Sequence, residues 1–213
     1  MGARTSMLVY ADGDAAPALA AYPSLDRTKS AAELGRLFAK DKLVAIGDGS
    51  LTSTFPAKGE RYIGRFDRVT IVAAREFSID YPSQLDRRFL QVAAGRTVYL
   101  HAMHSVVDWL AFAVWRDGSL LRALSVSPDR GVIEECGSRL PFELPYWEGK
   151  HPVDSSEKGA LYPLRFHPLD LGDSALRSFF GYSLDSPADA ALVDTDRIPL
   201  LKFKQRSGFA GFW

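Results

Sequence analysis

Four short apolar runs follow one another closely in the middle of the chain, and they constrain the fold more than any other feature. They occupy residues 97–104, 109–115, 120–127 and 132–135. The sequence RDGS (116–119) separates the second run from the third, and PDRG (128–131) separates the third from the fourth. Both connections have the composition of tight hairpin turns. Residues 97–135 are therefore predicted to form an antiparallel meander.

The N-terminal third shows a different pattern, in which apolar runs alternate with helix signals. Residues 6–11 and 43–46 are apolar runs that end in turn sequences, a polar connection over 50–64 follows, and 69–74 is a third buried run. Between the first two runs, residues 26–40 place apolar side chains at helical spacing. A strand, a helix and a strand suggest a crossover unit with parallel pairing. The prediction is one α+β domain over residues 1–213, with a mixed sheet that joins this N-terminal crossover unit to the C-terminal meander.

Two more helices and a last strand are predicted in the rest of the chain. Asp80 is the candidate N-cap of a helix that Gly95 ends, and Asp173 is the candidate N-cap of a helix that Gly181 ends. Residues 198–204 alternate apolar side chains with lysines, which is typical of an edge strand with one solvated face.

Composition and charge exclude several classes of protein. The 213 residues are 46% hydrophobic and 24% charged, as in average soluble globular proteins. Lysine plus arginine equals aspartate plus glutamate at 26 each, so the net charge favours neither a nucleic-acid nor an anionic membrane partner. The apolar runs are far shorter than the roughly 20 residues that cross a bilayer. The single cysteine, Cys136, predicts a reducing, cytoplasmic location.

Acidic turns after the first two apolar runs provide the main enzymatic hypothesis. Asp12 and Asp14 lie in one turn and Asp48 lies in the other. If the two strands were parallel neighbours, the three carboxylates would form an acidic pocket at one sheet edge and could bind Mg²⁺ or Mn²⁺. Such a pocket would suit a metal-dependent phosphate-ester hydrolase. The alternative is that Asp-Gly sequences here are ordinary turns.

The first acidic turn also resembles a known catalytic loop. Over about ten residues it is similar to the Asp-x-Asp nucleophile loop of haloacid-dehalogenase-type phosphatases. In that family the first carboxylate attacks phosphorus and the second acts as acid and base. Ala15 and Ala16 follow the turn where the family usually has Thr or Val, which weakens the resemblance.

Other residues that often carry chemistry show no spacing that specifies a site. His101 and His104 are three residues apart on a predicted strand, so their side chains should face opposite sides and not share a metal. Cys136 follows two glutamates, which disfavour a reactive thiolate. The sequence has no nucleophile elbow, Walker-type phosphate loop or dinucleotide loop. No cofactor is predicted outside the Mg²⁺ or Mn²⁺ of the hydrolase alternative, and a non-catalytic protein is favoured over an enzyme.

Aromatic side chains in the C-terminal half form a candidate interface. Trp147 lies in a segment with several prolines, and Phe209, Phe212 and Trp213 lie at the C-terminus. Large aromatic side chains bring contact area at small entropic cost, so they suit a protein partner or a homodimer. The alternative is that they seal the edge of the protein's own sheet.

Several segments together resemble an uncharacterised family of actinobacterial proteins of about this length. The segments are GART (2–5), YADG (10–13), WRDG (115–118), LRALSVSP (121–128), GVIE (131–134), PFE (141–143) and FFGY (179–182). The family is a domain of unknown function, so the resemblance implies a bacterial cytoplasmic origin but no activity, cofactor or catalytic residue. Within these segments, Arg122 and Glu143 are interpreted equally well as a structural ion pair, across strands or at a sheet edge, as they are as functional residues.

Three functional hypotheses therefore follow from the sequence. The first is a non-catalytic cytoplasmic binding or interaction protein with an unidentified protein partner or a homodimer contact. The second is the metal-dependent hydrolase, and the third is a small-molecule sensor. Convergence of the three aspartates in the structure is the observation that separates the second from the others.

Overall fold

One continuous sheet dominates the computed structural model, which describes residues 3–153, 163–186 and 189–206. Its strands are β1 (Arg4–Ala11), β2 (Leu43–Ser50), β3 (Glu60–Arg65), β4 (Val69–Ala74), β5 (Thr97–His104), β6 (Trp109–Arg116), β7 (Ser119–Ser127), β8 (Gly131–Gly137) and β9 (Pro199–Gln205). The helices are α1 (Ala15–Ala20), α2 (Arg27–Leu37), α3 (Arg87–Gln91), α4 (Leu144–Trp147) and α5 (Pro168–Phe180). Short 3₁₀ turns span Arg75–Phe77, Pro82–Gln84 and Thr195–Arg197. The strand order is β2-β9-β3-β4-β1-β5-β6-β7-β8.

The predicted meander is confirmed. β5, β6, β7 and β8 are successive antiparallel neighbours. Only Asp117 and Gly118 connect β6 to β7, and both have positive φ angles, of 50° and 75°. This is the backbone geometry that a two-residue hairpin turn requires, which explains why the sequence signal was reliable here.

The predicted mixed sheet and crossover unit are wrong. All eight pairs of neighbouring strands in the described sheet are antiparallel. β1 and β2 run in the same direction, but β9, β3 and β4 lie between them. β3 falls in the segment predicted to be a polar connection. Its polar sequence, ERYIGR, hid a strand whose four central residues are buried.

Helices cover both faces of the sheet, so the structure is an α+β arrangement made mostly of sheet. α1, α4 and α5 pack on one face, here called the α5 face, against a core that includes Val9 and Phe112. α2 and α3 pack on the opposite face, here called the α2 face, against a core that includes Leu8 and Ala111. β1 and β4 are buried along almost their whole length, as expected for strands with cover on both sides.

The helix ends agree with the sequence only in part. Asp26 caps α2 by accepting a hydrogen bond from the backbone N–H of Lys29. The helix predicted to start near Asp80 is instead a 3₁₀ turn followed by α3. α5 begins earlier than predicted, after His167, and Asp173 lies inside it. Gly181 ends α5 with a φ of 74°, as predicted.

The edge strands also differ from the prediction. β9 lies between β2 and β3, so it is not an edge strand, and the described edges are β2 and β8. The apolar run 43–46, whose Leu43 and Val44 the crossover prediction placed beside β1 in the centre of the sheet, is on the edge strand β2, whose residues are mostly exposed. The apolar character of a short run does not show how many neighbours a strand has, and this explains the error.

Candidate functional site

The three aspartates of the predicted acidic pocket do not come together. Asp12 follows β1, whereas Asp48 lies on β2, four strand positions away in the sheet. At about 4.8 Å per position, the two strands are roughly 19 Å apart. The register adds to this separation, because it places Asp48 level with Leu8 rather than with the end of β1. The hydrolase hypothesis required convergence and loses its geometric basis.

Each aspartate has a different local environment. Asp48 forms an exposed bidentate ion pair with Arg27, and hydrogen bonds from Arg27 lower the pKa of the Asp48 carboxyl. Asp14 is the N-cap residue of α1 without a side-chain capping hydrogen bond. The pKa of Tyr99 is raised, mainly by burial and secondly by the charge of Asp14. Asp12 lines a surface cavity whose other charged side chains are mostly cationic. Within the described ranges, no group of three His, Cys, Asp or Glu side chains is placed to hold a metal ion.

Trp147, the described member of the candidate interface, packs against its own protein. Its ring makes an edge contact with Phe166 at 5.0 Å between centroids, and the guanidinium of Arg139 lies 3.9 Å above it. The indole N–H donates to Glu143 at 3.4 Å. Trp147 therefore seals the core beside α5, which agrees with the alternative interpretation of the aromatic segment. Phe209, Phe212 and Trp213 lie outside the described residues.

The ion pair between Arg122 and Glu143 is present. Arg122 donates from Nε to Oε1 of Glu143 at 2.9 Å and from Nη2 to Oε2 at 2.6 Å. Arg122 also donates to the backbone carbonyls of Cys136 and Gly137, and the N–H of Leu140 donates to Glu143. The pair is fully buried and fixes the chain after β8, so its role is structural.

His101 is also structural. It is fully buried, its Nδ1 accepts from the hydroxyl of Thr5 at 2.7 Å, and its Nε2 donates to the carbonyl of Gly172 at 3.0 Å. Burial lowers the pKa of His101 to about 4, so the ring is neutral near pH 7. His101 belongs to the core of the α5 face, where it connects β1, β5 and α5.

A cleft on the α2 face, at the turn between β5 and β6, is the best candidate for a functional site. We call it the Trp109 cleft; its volume is about 320 Å³. It is lined by Phe55, Arg75, Ser78, Asp80, His104, Val107, Trp109, Ser127, Asp129, Arg130 and Ile133. Small-molecule sites have volumes of roughly 300–1,000 Å³ and combine apolar walls with a few polar groups. The Trp109 cleft meets both criteria.

The sheet register brings the floor of the cleft together. His104 at the end of β5 pairs with Trp109 at the start of β6. Ser78 closes one side because its hydroxyl donates to Ser6 on β1, whose own hydroxyl donates to the carbonyl of Ala74. The segment after β4 is thereby held across the end of the sheet.

The indole N–H of Trp109 has no hydrogen-bond acceptor among the described residues. Trp109 is only 9% exposed, so the cost of leaving this donor unpaired is not relieved by bulk water. Ser125, on the neighbouring strand β7, likewise has a buried hydroxyl without a partner in the described part of the chain. Buried polar groups in native proteins normally have partners, so unpaired ones are informative.

Arg75 gives the cleft a positively charged wall. Its guanidinium lies 3.8 Å from the centre of the Phe55 ring, and its Nε donates to the carbonyl of Pro56. These two contacts fix the plane of the guanidinium. Its Nη atoms make no hydrogen bond with any residue that the structure describes, so they remain available as donors to a ligand.

His104 adds a neutral donor beside Arg75. Its Nδ1 accepts from the backbone N–H of Val106 at 3.3 Å, which assigns the proton of the neutral ring to Nε2. Burial, followed by the positive charges of Arg4 and Arg75, lowers the pKa of His104. The ring meets Phe55 edge-on at 5.4 Å between centroids.

Sequence reasoning missed this cleft. It considered His104 only as a metal ligand beside His101, and it did not consider Arg75 or Phe55. The lining residues come from separate segments, and only the sheet brings them together. The available signal was the pairing of a tryptophan with a histidine across a predicted hairpin, which specifies proximity but not a cavity.

Comparison with known proteins identifies the family. A model of the family of unknown function DUF6928 matches residues 5–203. The chain belongs to this family. The match confirms the resemblance to an uncharacterised family of about this length, and it supplies no activity for any DUF6928 residue. No curated protein and no solved structure matches the chain.

Proposed function

We propose that this DUF6928 protein binds a small molecule that has an anionic or other acceptor group on a flat apolar body, and that the Trp109 cleft is the site. The observation that carries the proposal is the buried, unpaired indole N–H of Trp109 in the wall of a cavity of ligand size. Under this proposal the protein is a non-catalytic binding protein, which is the class that the sequence favours. Its ligand is a small molecule.

The chemistry of the lining supports this class of ligand. The donors available in the residues that line the cleft are the guanidinium of Arg75 and the Nε2–H of His104, and the wall also contains Trp109, whose buried indole N–H is unpaired. A carboxylate accepts charge-assisted hydrogen bonds from such a set. Phe55, Val107 and the ring of Trp109 provide apolar surface for the body of the ligand. A cationic or purely apolar ligand would leave these donors unpaired.

Asp80 and Arg130 form an ion pair that supports the rim of the cleft. Because the pair joins the segment after β4 to the turn between β7 and β8, it limits how far the cleft opens. Both side chains are nearly half exposed, so they are accessible to a ligand that enters.

The partner and location hypotheses remain part of the proposal. No helix among the described residues is long and apolar enough to span a membrane. The free Cys136 supports a cytoplasmic site of action, where thiols stay reduced. Val107, which lines the cleft, is 53% exposed and the adjacent Val106 is 69% exposed, so a protein partner that responds to the bound ligand would find an apolar contact there.

Nuclear magnetic resonance tests the site directly. The chain has four tryptophans, so a ¹H–¹⁵N spectrum gives few indole signals, and Trp109→Phe assigns the relevant one. Titration with benzoate and indole-3-acetate is expected to shift the Trp109 indole signal, because the ligand binds against the wall that contains this ring. Trp115, which lies on the same strand and face, supplies the matched internal control.

Two variants separate the site from nonspecific binding. Arg75→Gln should weaken carboxylate binding by about tenfold, the effect of one charge-assisted hydrogen bond. Arg68→Gln, at the far end of the sheet, should leave it unchanged. If neither carboxylate moves the Trp109 signal, or if both variants weaken binding equally, the proposed function is wrong.

A further inference from the structure

A second cavity lies on the α2 face at the opposite end of β1 from the Trp109 cleft, and it is strongly basic. We call it the arginine basin; its volume is about 440 Å³. The charged side chains that line it are Asp12, Lys29, Glu33, Arg36, Arg65 and Arg96. The lining's four cations and two carboxylates sum to a net charge of plus two, although Lys29 also pairs with Asp26 just outside the lining, at 3.0 Å. The end of β1, where the sequence predicted an acidic pocket, thus opens into a site of the opposite sign.

Two of these cations are held close together by the fold. Arg65 and Arg96 both donate from Nη1 to the hydroxyl oxygen of Thr70, at 2.8 Å and 3.1 Å. Only one buried carboxylate balances them, because Glu33 lies 3.6 Å from Arg65 and 3.3 Å from Arg96. Two guanidinium groups that share one carboxylate leave an excess of one positive charge, which an added anion would neutralise.

The structural role of this network does not use all of its donors. Arg96 uses four of its five N–H donors, since it also donates to Glu33 and to the carbonyls of Val92 and Ala93. In contrast, Nε and Nη2 of Arg65 make no hydrogen bond with a described residue. Arg65 therefore keeps free donors in a side chain that is only 25% exposed.

The face of α2 above the network adds more positive charge. Lys29, Glu33 and Arg36 are four and three residues apart, so they lie on one side of the helix. Arg36 has no hydrogen bond or ion pair with any residue in the described ranges. Arg36 lies in the last turn of α2, where its charge also favours the helix C-terminus, and its guanidinium keeps its donors for a ligand.

We infer that the arginine basin is a binding site for a compact multivalent oxyanion, such as a diphosphate group or a small polycarboxylate. Guanidinium groups bind such oxygens bidentately, and a ligand with two or more negative charges matches the net charge of the basin. The inference does not depend on the Trp109 cleft, because the two cavities share no lining residue.

Calorimetric titration with pyrophosphate at low ionic strength tests the inference. Wild-type protein is expected to bind, with an affinity that falls as salt is added. Arg36→Gln should weaken binding by about tenfold, and it removes no hydrogen bond or ion pair with a described residue; an unchanged melting temperature without ligand checks that the fold is retained. Lys40→Gln removes an equally exposed charge just after α2, outside the basin, and should bind like wild type.

Citrate and orthophosphate define the ligand class. Tighter binding of pyrophosphate than of citrate assigns a phosphate ligand, and the reverse order assigns a polycarboxylate; both support the basin as a multivalent oxyanion site. The inference is overturned if orthophosphate binds as tightly as either, if nothing binds at low salt, or if Lys40→Gln weakens binding as much as Arg36→Gln.

Discussion

Glu143 receives two hydrogen bonds from Arg122, Nε to Oε1 and Nη2 to Oε2, in a pair from which solvent is excluded completely. A buried pair of this kind adds little net stability compared with apolar side chains, but removing one partner is costly. The pair determines where the chain after β8 turns back over the α5 face.

Glu143→Gln should therefore destabilise the protein by about 3 kcal/mol, because the buried Arg122 guanidinium would keep only Glu135, 3.4 Å from its Nη2, as a counter-charge. Urea unfolding followed by far-ultraviolet circular dichroism measures the loss. The double variant Arg122→Met with Glu143→Leu should be more stable than Glu143→Gln.

Asp48→Asn is the control for this prediction. It removes one partner of the exposed pair with Arg27, so the urea midpoint should not change measurably. If Asp48→Asn and Glu143→Gln lowered the free energy of unfolding equally, burial would not determine how much each ion pair contributes to stability.

His101 should make the protein sensitive to acid. Its pKa is lowered by burial to about 4 in the folded protein, whereas an unfolded histidine titrates near 6.5. Because the pKa is lower in the folded protein, the contribution of His101 to the free energy of unfolding is fully present above pH 6.5. It is lost as the pH falls towards 4, by about 3 kcal/mol in total.

Unfolding free energies measured across this pH range test the prediction. His101→Gln should lower the free energy of unfolding at pH 7, and it should make that free energy vary less with pH between 6.5 and 4. A dependence as steep in the variant as in wild type would assign the acid sensitivity to other groups.

Two buried serines offer a matched comparison of satisfied and unsatisfied hydroxyls. Ser6 donates to the carbonyl of Ala74 at 2.6 Å, whereas Ser125 has no partner among the described residues. Ser6→Ala should cost about 1–3 kcal/mol, and Ser125→Ala should be neutral or stabilising. Thermal unfolding of both variants, without added ligand, measures the difference. Equal losses would mean that Ser125 has a partner in solution.

Glu33→Gln should separate the stability of the arginine basin from its affinity for anions. Without anions, Arg65 and Arg96 lose their shared carboxylate, so the melting temperature should fall. With pyrophosphate, the gain in melting temperature should exceed that of wild type because the basin is more positive. A smaller gain than that of wild type would contradict the oxyanion site.

The sequence predicted local features better than strand neighbours. Residues 97–135 were correctly predicted because two tight turns specify antiparallel neighbours without reference to the rest of the chain. β1 and β2 were wrongly paired, since a buried apolar run fits a parallel or an antiparallel neighbour equally well. β3 was missed because Arg61 and Arg65 made a buried strand look like a loop.

The candidate sites show the same limit. Asp12 was correctly recognised as a residue at the end of a central strand, but its surroundings are supplied by α2, β3 and Arg96, which are distant in sequence. Whether a pocket is acidic or basic depends on all the charged residues that the topology brings together around it. Topology that depends on long-range strand pairing was the part of the fold that the sequence predicted least well.

The position of β9 between β2 and β3 has a consequence for how the chain is made. Translation proceeds from the N-terminus, and domains begin to fold as they emerge from the ribosome. β1 and β3 to β8 can pair with one another before β9 is made, but β2 has β9 as its only described strand neighbour. Until residues 199–205 emerge, β2 has no strand partner and one edge of β3 is open, so the backbone hydrogen-bonding groups of both strands can pair with other chains in this interval.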